Sequence, residues 1–315
     1  MAILVNSSSS QQIVLLGKHL FGRQAGESDT LLTDPNVSRL HAWVFWGGDE
    51  WFLQDSSTNG TFVNNVRVKP GAKVSLRADD KINFGNKNGD AWVLLNVEAP
   101  KTMLLATDES LSDIVLDNIV ALPSEDNPEI TIYFTPEGRW VCESKLGVTC
   151  LKNGDSVGIN GSIWRFVEAE PALETVLAEV EGSVSESLSN VQAIFNVSQD
   201  EEHVSLKVIV NDYELDLKQR IHHYLMLVLA RKRLKDIKEG FQCEEQGWID
   251  KDELDQLVGL NETHINIQVY RFRKQIIKAL PSHLVLPQII ESRRGAIRFA
   301  PGFIKISGGF EELAL

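Results

Sequence analysis

The 315-residue chain is 43% hydrophobic, 24% charged and 8% aromatic, a balance that argues against disordered, collagenous and fibrous classes and leaves room for two or three domains of about 100–200 residues. A net charge of −13 speaks against nucleic-acid binding by the chain as a whole, and three cysteines (Cys142, Cys150, Cys243) without CxxC spacing speak against a disulfide framework or a zinc site and suit a reducing compartment. No apolar stretch approaches the roughly 18 residues of a membrane span, the longest run being Tyr224–Ala230, and Met1–Val5 offers neither a basic leader nor an apolar core, so a cytoplasmic protein with no membrane partner is expected.

Over residues 1–97, short apolar alternations such as Ile13–Leu16, His41–Phe45 and Trp51–Leu53 are separated by Gly, Asn, Asp and Pro, which predicts an all-β sandwich or barrel. Residues 98–168 repeat that texture, with strands expected at Ile130–Phe134, Trp140–Cys142 and Ile163–Val167. Over 169–200 the period changes: Leu173, Val176, Leu177, Val180, Val184, Leu188, Val191 and Ile194 recur at three or four, the spacing of an amphipathic linker helix. Such a helix either lies on its own domain or pairs with a second copy as a coiled coil, giving a homodimer.

Residues 201–307 read as two strands, His203–Val210 and Tyr213–Leu217, then a helix from Lys218 to Lys238 stopped at Gly240. A second helix is expected from Asp250 to Gly259, and a third, capped by Asn261 or Thr263, to Leu280. Leu284–Ile290 and Ala296–Ile306 complete a β-hairpin, and residues 308–315 a tail. Three helices followed by a hairpin make an α+β winged helix-turn-helix.

Three sets of residues in the first domain carry chemistry: Gly22-Arg23, Ser38-Arg39-Leu40-His41, and Asp55 to Asn64 with Thr58-Asn59-Gly60 at its centre. Singly, each has an ordinary role in a turn, a cap or a hairpin. Together and in this order they resemble the forkhead-associated (FHA) domain, a β-sandwich that binds phosphothreonine peptides. The resemblance runs from about Ile13 to Leu95 and includes Asp29, Arg67-Val68 and the closing Asp79 to Gly85. It implies that Arg23, Ser38 and Arg39 ligate the phosphate, that Thr58 and Asn59 hold the peptide backbone and the phosphothreonine methyl group, and that Gly22, His41 and Gly60 brace the loops. A phosphate dianion presents three acceptor oxygens and wants such a convergence of guanidinium, hydroxyl and amide donors.

The middle region resembles a shortened, degenerate copy. Ala106-Thr107 falls where Gly22-Arg23 stood, Asp113 takes the place of Asp29, Gly138-Arg139-Trp140 echoes Glu50-Trp51, and Asn153 to Val157 echoes the closing strand. Its ligand residues do not survive, since Thr107 replaces Arg23 and Leu146-Gly147-Val148 stands where Asn-Gly-Thr belongs. A structural or protein-binding role is expected.

Charge is unevenly placed along the chain. Residues 98–200 hold five Lys/Arg against eighteen Asp/Glu, whereas 264–300 holds seven (Arg271, Arg273, Lys274, Lys278, Arg293, Arg294, Arg298) against Glu291 alone. The segment Ile265–Ile276 resembles the recognition helix of the winged-helix output domain of OmpR-type response regulators, Gly247–Leu254 the start of the preceding helix, and Ile290–Phe299 the wing, over about 203–307. The sequence departs from that family in a longer first helix and in Ala296-Ile297 at the wing's usual Gly-aromatic pair. By this resemblance His264, Gln268, Arg271 and Gln275 face DNA on one side of the helix, Arg273 and Lys274 reach the phosphate backbone, and Arg293 and Arg294 come from the wing.

No GxxxxGK[ST], GxGxxG after a strand, HExxH or kinase signature is present, and His222-His223 are adjacent, a poor geometry for one metal. No enzyme, cofactor or metal is expected. The resemblances imply a bacterial transcriptional regulator that docks on a phosphothreonine protein, a Ser/Thr kinase or its substrate, and binds double-stranded DNA. The competing expectation is a phosphopeptide-binding signalling adaptor whose winged helix contacts protein.

Overall fold

The apolar alternation of the first 97 residues folds into eleven strands: β1 (Ile3–Asn6), β2 (Gln12–Val14), β3 (Lys18–Gly22), β4 (Thr30–Leu31), β5 (Ala42–Trp46), β6 (Trp51–Asp55), β7 (Thr61–Val63), β8 (Val66–Arg67), β9 (Lys73–Leu76), β10 (Lys81–Phe84) and β11 (Ala91–Asn96). In this computed structural model, which describes residues 1–108, 110–169, 191–210, 213–281, 288–310 and 313–314, they form two sheets of order β2-β1-β11-β10-β7-β8 and β4-β3-β5-β6-β9. Period-2 burial puts Leu4, Phe21, Val44, Trp51, Leu53, Ile82 and Leu94 in a shared core, each contributing about 1.5–3 kcal/mol on burial. The sandwich belongs to one compact unit; Leu116–Trp164 and the C-terminal residues belong to a second.

Eight strands follow: β12 (Met103–Ala106), β13 (Ile114–Val115), β14 (Ile119–Ser124), β15 (Asn127–Phe134), β16 (Trp140–Ser144), β17 (Gly147–Cys150), β18 (Ser156–Ile159) and β19 (Ser162–Val167). Their sheet orders, β13-β12-β19-β18 and β14-β15-β16-β17, run parallel to β2-β1-β11-β10 and β3-β5-β6-β9 of the first sandwich. The correspondence extends to detail: Asp80 accepts the Arg77 N–H at 2.7 Å before β10, and Asp155 accepts the Lys152 N–H at 2.8 Å before β18. Trp51 and Trp140 open β6 and β16 alike. One part of the sequence correspondence is corrected. Ala106 ends a strand placed as β1 is, antiparallel to β13, whereas Gly22 ends β3, which pairs with β4 in parallel. The strand in the position of β3 is β14, so the counterpart of Arg23 is Glu125.

The C-terminal residues add β20 (Val191–Val197), β21 (Val204–Val210), β22 (Tyr213–Gln219), helix α1 (His223–Lys238), β23 (Ile249–Asp250), α2 (Lys251–Val258), α3 (Glu262–Ala279), β24 (Ile290–Arg293), β25 (Ala296–Phe299), β26 (Phe303–Gly308) and β27 (Leu313–Ala314). A five-stranded sheet β22-β21-β20-β26-β27 and a three-stranded sheet β23-β25-β24 pack with the helices around Phe195, Leu206, Leu227, Phe272 and Phe299. Asn261 caps α3 by accepting the His264 N–H at 3.0 Å, and Gly259, at φ +65°, closes α2.

Several expectations are corrected here. The linker helix over 169–200 falls largely on 170–190, outside the described residues; its last part, Val191–Val197, is the strand β20, where Val191, Ala193, Phe195 and Val197 are buried and Gln192 and Asn196 exposed. Val191 and Ile194 satisfy a spacing of three, but their neighbours alternate with period 2. Helix α1 starts at His223 rather than Lys218, because β22 continues to Gln219 through Lys218 at φ +58°. Among the described residues the hairpin comprises β24 and β25; residues 284–287 of the expected hairpin lie outside them. Phe303–Gly308 leaves it to pair in parallel with β20, and the expected tail pairs through Leu313 and Ala314 with β26.

Candidate functional site

The strand ends of the first sandwich bring three loops together. Arg23 N–H donates to Ser38 O at 3.0 Å, Gln24 N–H to Arg39 O at 3.2 Å, and Ser56 N–H to His41 O at 2.9 Å. The Thr58 N–H donates to Ser38 Oγ at 3.1 Å, and Asn59 Nδ2 donates to Asn36 O at 2.8 Å. Arg23, Arg39, Thr58 and Asn59 are exposed and Ser38 is half-buried. Among the described residues no ion pair engages Arg23 or Arg39; Arg23 is steered by donation from its Nε to Val37 O at 3.1 Å. Ser38 Oγ accepts from Thr58, which leaves its own proton for an acceptor in solvent. The arrangement is an exposed set of two guanidiniums, a hydroxyl and an amide, suited chemically to a phosphate on a peptide.

The bracing residues lie beneath. His41 is fully buried, and its Nδ1 accepts the Ser38 N–H at 2.9 Å, which requires the proton on Nε2. Burial lowers the pKa of His41 against the opposing pull of Asp55, so the ring stays neutral. A Cβ on Gly22 would stand 2.0 Å from Arg39 O, so only glycine lets the Arg23 and Arg39 loops approach this closely. Gly60 has φ +93°, with the Arg67 guanidinium 2.5 Å from where a Cβ would be.

The sequence reading missed Asp55 and Ser57 as framework of the Thr58-Asn59 loop. Buried Asp55 accepts the hydroxyls of Ser57 and Thr61 through Oδ1, both at 2.7 Å, and Ser57 Oγ accepts the Gly60 N–H at 2.8 Å. The Asp-x-Ser spacing, a turn signature of side chains bonding their own backbone, carries this signal.

The basic helix is placed differently from expectation. Arg273 is 8% exposed and donates to Glu143 Oε2 at 2.7 Å, with its guanidinium 4.5 Å from the Tyr133 ring centre; it does not face solvent for a DNA backbone. Burial alone would raise the Glu143 carboxyl, but Arg273 and the Ser292 hydroxyl outweigh it and hold it below the usual carboxylate range. Gln275 is also engaged internally, its Oε1 accepting from His222 and His223 at 2.6 and 3.0 Å and its Nε2 donating to Leu217 O at 2.7 Å. The i, i+4, i+7 spacing that placed Gln275 with His264, Gln268 and Arg271 holds, but α3 meets the sheet at its C-terminal half, which covers that end of the face.

His264 and Arg271 are exposed and Gln268 is half-buried. Arg271 pairs with Asp126 at 3.3 Å, and Lys274 donates to Glu125. Arg293 ends β24 and Arg294 lies in the two-residue β24–β25 turn with Gly295, Arg293 lying 4.4 Å from the Trp248 ring centre. Among the described residues no group of three His, Cys, Asp or Glu could hold a metal ion, and no helix is long and apolar enough to cross a membrane.

Residues 19–85 match the FHA domain family. The chain is 35% identical over 68 residues to the FHA domain-containing protein FhaB of Mycobacterium tuberculosis, 21% of this chain and 40% of that one, and 42% identical over 50 residues to protein FraH of Nostoc, 16% and 17%. The matched stretches span between 10% and 41% of the length of the curated relatives that the chain matches. Among solved structures it is similar to Mycobacterium tuberculosis EmbR in complex with a low-affinity phosphopeptide, at 24% identity over 31% of this chain and 25% of that one with a TM-score of 0.28. On the family match over residues 19–85, the N-terminal β-sandwich of this chain is an FHA domain.

Proposed function

We propose that this chain is a phosphothreonine-dependent bacterial transcriptional regulator. The FHA domain docks on a phosphothreonine of a partner, a Ser/Thr kinase or its substrate, and the C-terminal helices and β-ribbon act as a winged helix-turn-helix on double-stranded DNA in the cytoplasm. The chain catalyses no reaction and holds no cofactor. The observation that carries this reading is the exposed convergence of Arg23, Ser38, Arg39, Thr58 and Asn59 on a braced rim, without a carboxylate paired to either arginine among the described residues. The second β region supports a different role. The excursions that carry Arg23, Ser38 and Arg39 between β3 and β5, and Thr58 and Asn59 between β6 and β9, shrink there to the two-residue turns Glu125-Asp126 and Lys145-Leu146. It is a shortened FHA-like copy that positions the C-terminal module and reads no phosphate.

For DNA, His264, Gln268 and Arg271 remain the base-facing candidates, with Lys274, Arg293 and Arg294 for the backbone. The adaptor reading is favoured by one observation, the internal engagement of Arg273 and Gln275, which removes two of the expected contacts. Capture from a phosphothreonine peptide library by the full chain, absent with the unphosphorylated library, tests the first half of the proposal. Retention of genomic DNA fragments, lost in Arg271→Ala with Arg293→Ala and Arg294→Ala, tests the second and rejects the adaptor.

A further inference from the structure

Helix α3 packs on one face of β15, where Thr131 and Tyr133 are buried, while Ile130 and Ile132 are buried on the other. The contact has two tiers. Its centre is a buried knot in which Glu143 accepts from Arg273 and, at 2.8 Å, from the Ser292 hydroxyl, while Tyr133 Oη accepts from Gln288 at 3.0 Å. At its edge lies the tip of the β14–β15 hairpin. There Glu125 accepts from Lys274 and, at 2.9 Å, from the Tyr270 hydroxyl, and Asp126 accepts from Arg271 at 3.3 Å.

The tiers differ in exposure and hence in exchangeability. The side chains of Arg273 and Glu143 are 9% and 12% exposed, those of Lys274 and Glu125 are 47% and 58%, and those of Arg271 and Asp126 are 53% and 89%. A buried pair is costly to break, whereas exposed pairs are weak and screened by salt, so an incoming polyanion can take over the edge cations without undoing the centre. Turn chemistry does not account for the two acids, since neither Glu125 nor Asp126 has the positive φ at which a hairpin turn restricts its residues. Their position does: they stand at the strand end where the FHA domain presents Arg23, with the charge reversed.

We infer that the Glu125-Asp126 turn is a built-in competitor that occupies Arg271 and Lys274 and is displaced by the phosphates of a nucleic acid. This rests on the nucleic-acid reading of α3. It is autoinhibitory and partial, since Arg293 and Arg294 at the hairpin tip are exposed and pair with no carboxylate among the described residues.

The test uses the full chain and its Glu125→Gln, Asp126→Asn double variant, with two readouts. One is the reactivity of Lys274 towards an amine-labelling reagent, followed by mass spectrometry; the other is the anisotropy of a fluorescein-labelled 20-base-pair duplex of random sequence at low salt. The expected result is faster Lys274 labelling in the variant and a gain in duplex affinity of about five- to thirtyfold, the factor given by two exposed ion pairs at the upper end of their range. Equal labelling in the two chains overturns the inference, as does faster labelling with unchanged duplex affinity. If labelling rises but the duplex binds neither chain, the clamp on Lys274 stands and the nucleic-acid reading of the helix falls. Arg271→Ala, whose partner Asp126 is then left alone, should accelerate Lys274 labelling far less than the double variant.

Discussion

The backbone N–H of Thr58 donates to the hydroxyl oxygen of Ser38 at 3.1 Å, so one side chain both keeps its proton for an outside acceptor and ties the Thr58-Asn59 loop to the Ser38-Arg39 loop. Ser38→Ala removes both. Phosphothreonine-peptide affinity is expected to fall at least about tenfold, the lower bound for losing a hydrogen bond to a charged group, while the unfolding free energy changes by no more than about 1 kcal/mol. Peptide titration beside chemical denaturation checks the split.

On the proposed reading His41 acts through the loop, where it is buried and accepts the Ser38 N–H, and touches no ligand. Replacing it with Ala leaves the Ser38 N–H without its acceptor in a half-buried place, a loss of about 1–3 kcal/mol, and opens space beneath the loop. Denaturant melts should show that destabilisation together with weaker peptide binding. Unchanged stability with weaker binding would instead make His41 a direct ligand.

Two buried histidines set a pH window. Burial depresses His19 to about 4, with Asp29 opposing and Arg165 reinforcing, and burial likewise depresses His223 to about 4, helped by His222. Unfolded histidine titrates near 6.5, so between 6.5 and 4 the unfolded chain binds more protons and stability drops as pH falls, by roughly 1.4 kcal/mol per pH unit for each histidine. Above 6.5 neither contributes a slope. Thermal melts between pH 6.5 and 5 check this, and His19→Gln should flatten the slope of the transition that reports the FHA domain.

The Arg273–Glu143 pair is expected to be costly to halve and tolerant of joint replacement. Glu143→Ala leaves a buried guanidinium and should destabilise by about 3–5 kcal/mol, while Glu143→Leu with Arg273→Met should be close to neutral. A double-mutant cycle by denaturation measures the coupling.

Legibility in the sequence varied with the range of the interactions involved. The FHA strands and loop residues were readable because alternation, Gly-Arg and Ser-Arg-x-His spacing and the Asn-Gly turn are local signals, and the caps at Asn261 and Gly259 were readable for the same reason. Strand β20 was not, because Val191 and Ile194 fit the period of the segment before them and only the pairing with β21 and β26 decides the matter. The counterpart of Arg23 in the second β region was misplaced because Ala106-Thr107 copies a local pattern, while strand position is set by the sheet. Charge counting found the acidic middle and the basic helix. It could not find that Glu143 and Arg273 meet, 130 residues apart, which turned an expected DNA contact into a buried anchor.

The account depends first on Arg23. Calorimetric titration of the full chain with a phosphothreonine peptide selected from the library, in wild type and Arg23→Ala, tests it most directly. The expected result is 1:1 binding by the wild type, none with the unphosphorylated peptide, and a loss of about ten- to hundredfold or more in Arg23→Ala with unchanged melting behaviour. Equal affinity of the two chains for the phosphorylated peptide, or equal affinity of the wild type for both peptides, would contradict it.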